Sequence, residues 1–187
     1  MSDSTNLSID KNGWISPARH IHSPNYNPRP SGMFPELLVI HNISLPPGEF
    51  GGGCIEQFFQ NGLNPDDHPY FQEIATLRVS AHLLIDRRGG ITQFVSLNDR
   101  AWHAGASSYC GREECNDFSI GIELEGTDDI AYTEAQYSSL AAVTRTIMQH
   151  YPHITTEKIA GHSDIAPKRK TDPGESFDWR YYRRLLA

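Results

Sequence analysis

Glu36-Leu37-Leu38-Val39-Ile40-His41-Asn42 is the stretch from which the fold follows. Its apolar run is unbroken, where a half-exposed strand would alternate, so it predicts a strand covered on both faces. Strands of that kind belong to α/β sheets, which deliver functional side chains from the C-terminal ends of their strands. His41 stands at that end. Residues 43–53 follow, with Pro46-Pro47-Gly48 and Gly51-Gly52-Gly53. Proline and glycine at that density exclude regular structure and predict a loop on the rim of a cleft.

Working outward, residues 54–61 read as a short helix with Ile55, Phe58 and Phe59 on one face. Asn64-Pro65-Asp66-Asp67 is a turn. Residues 79–86 and 91–97 read as two strands joined by a hairpin turn at Arg87-Arg88-Gly89-Gly90. In residues 118–126, Phe118, Ile120, Ile122 and Leu124 alternate with Ser119, Gly121, Glu123 and Glu125, which predicts a further strand with both glutamates on one face. Thr133 and Gln136 form a capping box for a helix over residues 133–151, with Tyr137, Leu140, Ala141, Thr144, Ile147, Met148 and Tyr151 as its buried stripe. Residues 177–186 predict a terminal helix packed through Trp179, Tyr182, Leu185 and Leu186. The sum is a single α/β domain with a central mixed β-sheet flanked by helices, spanning residues 36–187. Residues 1–35, punctuated by Pro17, Pro24, Pro28, Pro30 and Pro35, read as an irregular N-terminal arm laid over it.

A chain of 187 residues suits one compact domain, and its 38% hydrophobic content supports a real core. The net charge of −7 argues against a general nucleic-acid binder and against docking on anionic membranes. Cys54, Cys110 and Cys115 do not describe a disulfide framework, and reduced thiols are expected. The N-terminus shows no secretory signal, and no apolar run reaches membrane-spanning length. A cytoplasmic, monomeric protein acting on a small molecule is the expectation.

Chemistry concentrates in residues 161–174, GHSDIAPKRKTDPG. A loop this rich in ionisable groups is too costly to bury and should line a cleft. His162 and Asp172 offer lone pairs to a metal, and His41 is the best third donor. Three protein ligands with one position left for water is the pattern of a catalytic zinc site. Lys170, two residues before Asp172, is placed to stabilise negative charge on a carbonyl oxygen. Glu123, on a mostly apolar strand, is a candidate general base. Glu125, Lys168 and Arg169 read as solvated surface charges, His82 as a hydrogen-bonded core histidine or one standing behind a ligand, and His103 as a cleft residue ranked below His41 as a ligand.

Several segments together carry a resemblance: VIHNIS at 39–44, SAH at 80–82, RAWHAG at 100–105, NDFSIGIELEG at 116–126, Gly161-His162 and Thr171-Asp172-Pro173-Gly174. They are similar, in order and spacing from about Gly13 to the C-terminus, to the N-acetylmuramoyl-L-alanine amidases of the AmpD type. The wider superfamily includes phage amidases and peptidoglycan recognition proteins. The resemblance implies a peptidoglycan-recognition-protein-like fold and a zinc-dependent cytosolic enzyme of cell-wall recycling. Such an enzyme cuts the amide between (1,6-anhydro-)N-acetylmuramic acid and the L-alanine of the stem peptide, and so lowers the muropeptide signal for β-lactamase induction. It puts the metal on His41, His162 and Asp172, the base on Glu123 and the transition-state stabiliser on Lys170. It also maps Asn42 and Trp102 to the substrate cleft and Arg78 to the peptide carboxylates. Glu114 stands where relatives often carry an arginine, with Arg112 as a possible substitute.

Two other readings carry less weight. A module that binds muropeptides without cleaving them typically lacks a metal ligand, and here every candidate is present. A lytic amidase of intact wall fits poorly with the acidic balance and the missing wall-binding domain.

Overall fold

The structure is a computed structural model that describes residues 7–187. Its centre is a six-stranded mixed sheet built from β1 (Arg19–His20), β2 (Leu37–Ile43), β3 (Leu83–Ile85), β4 (Ile91–Gln93), β5 (Ser119–Glu125) and β6 (Ile159–Gly161), in the spatial order β6-β2-β5-β3-β4-β1. The strands β6, β2, β5 and β3 run parallel; β3 and β4 form the expected antiparallel hairpin; β1 lies parallel to β4. Among the described residues, five α-helices accompany it: α1 (Cys54–Phe59), α2 (Pro69–Ile74), α3 (Glu134–His150), α4 (His162–Ile165) and α5 (Trp179–Leu186).

The two faces of the sheet differ in kind. Leu38 and Ile40 of β2, Ile120, Ile122 and Leu124 of β5, Leu83 and Ile85 of β3 and Ile159 of β6 form one apolar face. Against it pack Leu140, Val143 and Ile147 of α3 and Tyr182 of α5. Complete burial of each such side chain contributes roughly 1.5–3 kcal/mol, which makes this layer the main source of stability. Thr144 and Tyr182 satisfy their hydroxyls against each other at 2.6 Å, so neither polar group is stranded inside it. The predicted capping box is present, with Gln136 N donating to Thr133 Oγ1 at 3.1 Å.

The opposite face is buried by α1 and α2 over part of its area, through Phe58, Phe59, Phe71 and Ile74. There β5 presents Ser119, Gly121, Glu123 and Glu125, and all seven of its residues are buried. The alternation read from the sequence is real, but its polar side faces a covered cleft and not open water.

Several expectations need adjustment. The described part of the N-terminal arm is not irregular throughout: Ser8–Ile9 pairs with Ile15–Ser16, Arg19–His20 is the edge strand β1, and Tyr26–Asn27 pairs with Arg100–Ala101. Ile15 is fully buried, and the Arg29 guanidinium donates to the carbonyls of Asn116, Asp117, Leu97 and Ser119 at 2.8–3.2 Å. Backbone groups of the arm thus find partners in the sheet that its prolines alone do not disclose. The strands over residues 79–86 and 91–97 shrink to three residues each: Phe94 N still donates to His82 O, but beyond that step Ser80 N donates to Trp102 O and Phe94 O accepts from Ser23 N. Helix α2 was not legible as such; His68 caps it by accepting from Tyr70 N, and Pro69 occupies its first turn. Residues 162–165 of the expected loop form the short α4.

Candidate metal centre and catalytic cleft

Parallel pairing sets His41 of β2 directly beside Glu123 of β5. On the other side of β2, β6 ends at Gly161, so His162 enters α4 next to the same point. The chain after α4 returns as Ser163 N donates to Asp172 O at 2.9 Å, which brings the Asp172 carboxylate back to the histidines. The result is a triangle of donors: His41 Nδ1 to His162 Nδ1 2.9 Å, His162 Nδ1 to Asp172 Oδ2 3.1 Å, and His41 Nδ1 to Asp172 Oδ2 3.2 Å.

This donor set fits a metal ion. His162 Nε2 lies 3.1 Å from the carbonyl oxygen of Ala104, which can only accept, so that nitrogen carries a proton and the ring's lone pair falls to Nδ1. Burial lowers the pKa of His41 to about 4, against the opposing contact with Asp172, so its ring is neutral at pH 7. Burial alone would push the Asp172 carboxyl up, but contacts with His162 and His41 outweigh it and hold the group well below the usual carboxylate range. Three lone-pair donors therefore converge with at most one proton among them. A cation relieves that repulsion, and the edges of 2.9–3.2 Å approach the donor separation of roughly 3.3 Å in a tetrahedral shell with zinc bonds of about 2.0–2.1 Å. Among the described residues, His41, His162 and Asp172 are the one group of this kind.

The triangle opens into a cleft of about 360 Å³, within the range of small-molecule sites. Glu123, Lys170, Asn42, Trp102 and His103 line it together with an apolar wall that includes Leu45, Phe58, Tyr70 and Leu77. Glu123 is 9% exposed, and its Oε2 is buried without a hydrogen-bond partner. Burial, reinforced by the Asp172 charge, pushes its pKa well above the ordinary value, while Lys170 works in the other direction. A carboxyl raised in this way is a candidate proton carrier.

Asn42 and Trp102 have second duties. Asn42 Nδ2 donates to Asp128 Oδ1 at 2.8 Å and to Pro173 O at 3.2 Å, and Tyr132 Oη donates to the same Pro173 carbonyl at 2.8 Å, so two side chains tether the peptide next to Asp172. Trp102 Nε1 donates to Asn27 Oδ1 at 2.6 Å, which fixes the indole on the cleft wall. Arg78 does not line the cleft; it is exposed, and its guanidinium donates to the carbonyls of Ala75 and Leu77. Arg112 is drawn away to Glu36 at 2.9 Å and lies over the Phe118 ring, while Glu114 pairs with Arg100 at 3.2 Å.

Two residues read as solvated surface charges, Arg169 and Glu125, support the site, as does Tyr132. Arg169 Nη2 donates to Ala104 O at 2.6 Å and to Ala106 O at 2.9 Å, bracing the carbonyl that orients His162. Glu125 is buried and accepts from Gly51 N at 2.5 Å and Arg87 N at 3.1 Å, anchoring the rim loop. Tyr132 gave no signal, because it precedes α3 in a turn where nothing local marks a contact with residue 173. His82 is the core histidine expected, accepting from Gly121 N at 3.0 Å and contacting Asp99 O at 3.0 Å. The three cysteines are free thiols.

Comparison with known proteins converges on one family. The sequence pattern of the family described as N-acetylmuramoyl-L-alanine amidase matches residues 31–175. A 1,6-anhydro-N-acetylmuramyl-L-alanine amidase AmpD of Salmonella typhimurium is 61% identical over 175 residues, covering 94% of this chain and 93% of the relative. The crystal structure of a selenomethionine AmpD derivative superimposes with a TM-score of 0.93 at 59% identity, covering 96% of this chain and 99% of that one. AmpDH3 from Pseudomonas aeruginosa, solved in complex with anhydromuramic pentapeptide, superimposes with a TM-score of 0.59 at 28% identity, over 95% of this chain and 66% of that one. The fold is thus that of the type 2 amidases, and the chain belongs to the N-acetylmuramoyl-L-alanine amidase family of hydrolases.

Proposed function

We propose that the chain is a zinc-dependent amidase of peptidoglycan recycling, acting on the bond between 1,6-anhydro-N-acetylmuramic acid and the L-alanine of the stem peptide. The observation that carries this is the convergence of His41, His162 and Asp172 beside an unpartnered, buried Glu123 carboxyl in one cleft. The names of the relatives and the muropeptide held by AmpDH3 supply the substrate class.

His41, His162 and Asp172 would hold the ion. When bound, zinc supplies Lewis-acid chemistry, polarising a carbonyl oxygen and making water more acidic. Glu123 takes a proton from the attacking water and returns it to the departing amine of L-alanine, while the hydroxyl stays on the lactyl carbon, so the C–N bond is replaced by a lactyl carboxyl group and a free amine and Glu123 is regenerated. Lys170 places its ammonium where negative charge grows on the lactyl carbonyl oxygen. Trp102 and Asn42 line the substrate's path, and the apolar wall excludes bulk water, which strengthens both electrostatic effects. Arg78 at the outer rim is the reading for a peptide carboxylate. Residues 36–187 carry this chemistry as the zinc amidase domain. We place the enzyme in the cytoplasm, as a monomer, where removal of anhydro-muropeptides lowers the signal for β-lactamase induction.

The test is incubation with an anhydro-muropeptide and with its reducing-end counterpart, read by mass spectrometry for free sugar and free peptide. Cleavage of the anhydro substrate, abolished by chelator and restored by zinc, is the expected result. Intact substrate with the zinc-loaded protein would sink the proposal.

A further inference from the structure

A second imidazole closes on His41 from behind the donor triangle. His103 Nδ1 stands 2.9 Å from His41 Nε2, with the two rings edge-on at 90° and 5.0 Å between centroids. The other nitrogen of His103, Nε2, is 3.1 Å from Ser119 Oγ. The ring has a made seat. His103 N donates to Asn116 Oδ1 at 3.1 Å, and a Cβ on Gly121 would fall 2.4 Å from His103 Nδ1, so β5 accommodates the ring only because that position is glycine. His103 is not itself in the donor triangle, since the nitrogen nearest the site faces His41 Nε2.

We infer that His103 is a positioning residue: it accepts the hydrogen bond from His41 Nε2–H and so keeps the His41 lone pair on Nδ1, aimed at the point where a divalent cation is held. This deepens the metal reading above and rests on it. A neutral imidazole carries one N–H, and a proton on His41 Nδ1 would point into the triangle and oppose the cation. With Nδ1 of His103 accepting, its own proton sits on Nε2 and is donated to the Ser119 hydroxyl oxygen, so each nitrogen in the row Ser119–His103–His41 has a defined role. His162 obtains the same polarity from the Ala104 carbonyl. The two imidazole donors are thus oriented by different means, one by backbone and one by a side chain that substitution can remove. Orienting partners of this sort typically alter metal affinity about 10–100-fold.

The experiment uses the full chain stripped of metal, as wild type, His103→Asn and His103→Phe. The asparagine Oδ1 lies near the place of ring Nδ1 and can accept the same bond, whereas phenylalanine fills the space without an acceptor. Zinc affinity is measured by competition with a chromophoric chelator, and the His41 tautomer by nitrogen NMR of the metal-free protein. Thermal melts of the metal-free variants confirm that each is folded. We expect His103→Phe to weaken zinc binding about 10–100-fold and to lose the pure Nε2–H form of His41, with His103→Asn retaining most of both. Unchanged affinity in His103→Phe, or equal losses in the two variants, would overturn the inference while leaving the metal reading intact. Failure of the wild type to take up zinc would instead remove the metal reading and this inference with it.

Discussion

Glu123, Lys170 and Asp172 line one cleft, and the roles proposed for them predict separate outcomes. The buried, unpartnered oxygen of Glu123 makes its proton hard to lose, so activity should rise with pH as that proton leaves. Glu123→Gln should remove this acidic limb and lower kcat about 10²–10⁴-fold with metal content unchanged. Lys170→Ala should likewise keep the metal and lose about 10²–10³-fold in kcat, the usual cost of deleting one group that stabilises a developing oxyanion. Asp172→Ala should lose both metal and activity, because two imidazoles remain where three donors are needed. Elemental analysis beside pH–rate profiles separates the three outcomes; full activity in metal-free Asp172→Ala would refute the ligand assignment. At this scale the residue types were legible, since few side chains serve as ligand, base or cation. The state of each was not: desolvation of Glu123 comes from neighbours remote in sequence.

Strand β5 shows how one element serves two functions. Its apolar alternate residues build the layer under α3, while Gly121 and Glu123 on the other side admit the His103 ring and face the cleft. Gly121→Ala puts a methyl group 2.4 Å from His103 Nδ1, so the ring must move. We expect a loss of about 1–3 kcal/mol in denaturant melts together with weaker zinc binding. Wild-type zinc affinity in a destabilised Gly121→Ala protein would show that the ring's seat is not coupled to the site. Helix α3 tests the reverse case. Thr133→Ala removes the cap acceptor for Gln136 N and the Thr133 Oγ1 bond to Arg87 O, and should cost about 1–2 kcal/mol with zinc affinity preserved. The cap was readable because it is satisfied within four residues. Helix α2 was not, because its six residues carry too little periodicity to stand out from the loops around it.

Across the whole molecule, the sheet divides labour between its faces, and burial of neutral imidazoles on the site side couples the fold to pH. Burial lowers the pKa of His82 to about 3. The unfolded chain takes up that proton near pH 6.5 and the folded chain does not, so this contribution is complete above about pH 6.5 and is lost as pH falls toward 3. The slope should reach about 1.4 kcal/mol per pH unit for this one group. His82→Asn should be less stable at neutral pH and show a shallower acid slope in denaturant melts of the metal-free protein; an unchanged slope would mean the ring is not held neutral. The amino-acid sequence alone determined the class of fold and the long helix with its cap, because apolar period and capping are written in neighbouring residues, and it named His41, His162 and Asp172 as candidate donors by residue type. Only the tertiary structure decided that Arg19–His20 completes the sheet edge, that Arg169 and Tyr132 brace the site, and that His103 stands behind His41. Hydrogen-bond direction and local dielectric are set by whatever the chain brings alongside, and here the partners lie up to 131 residues apart.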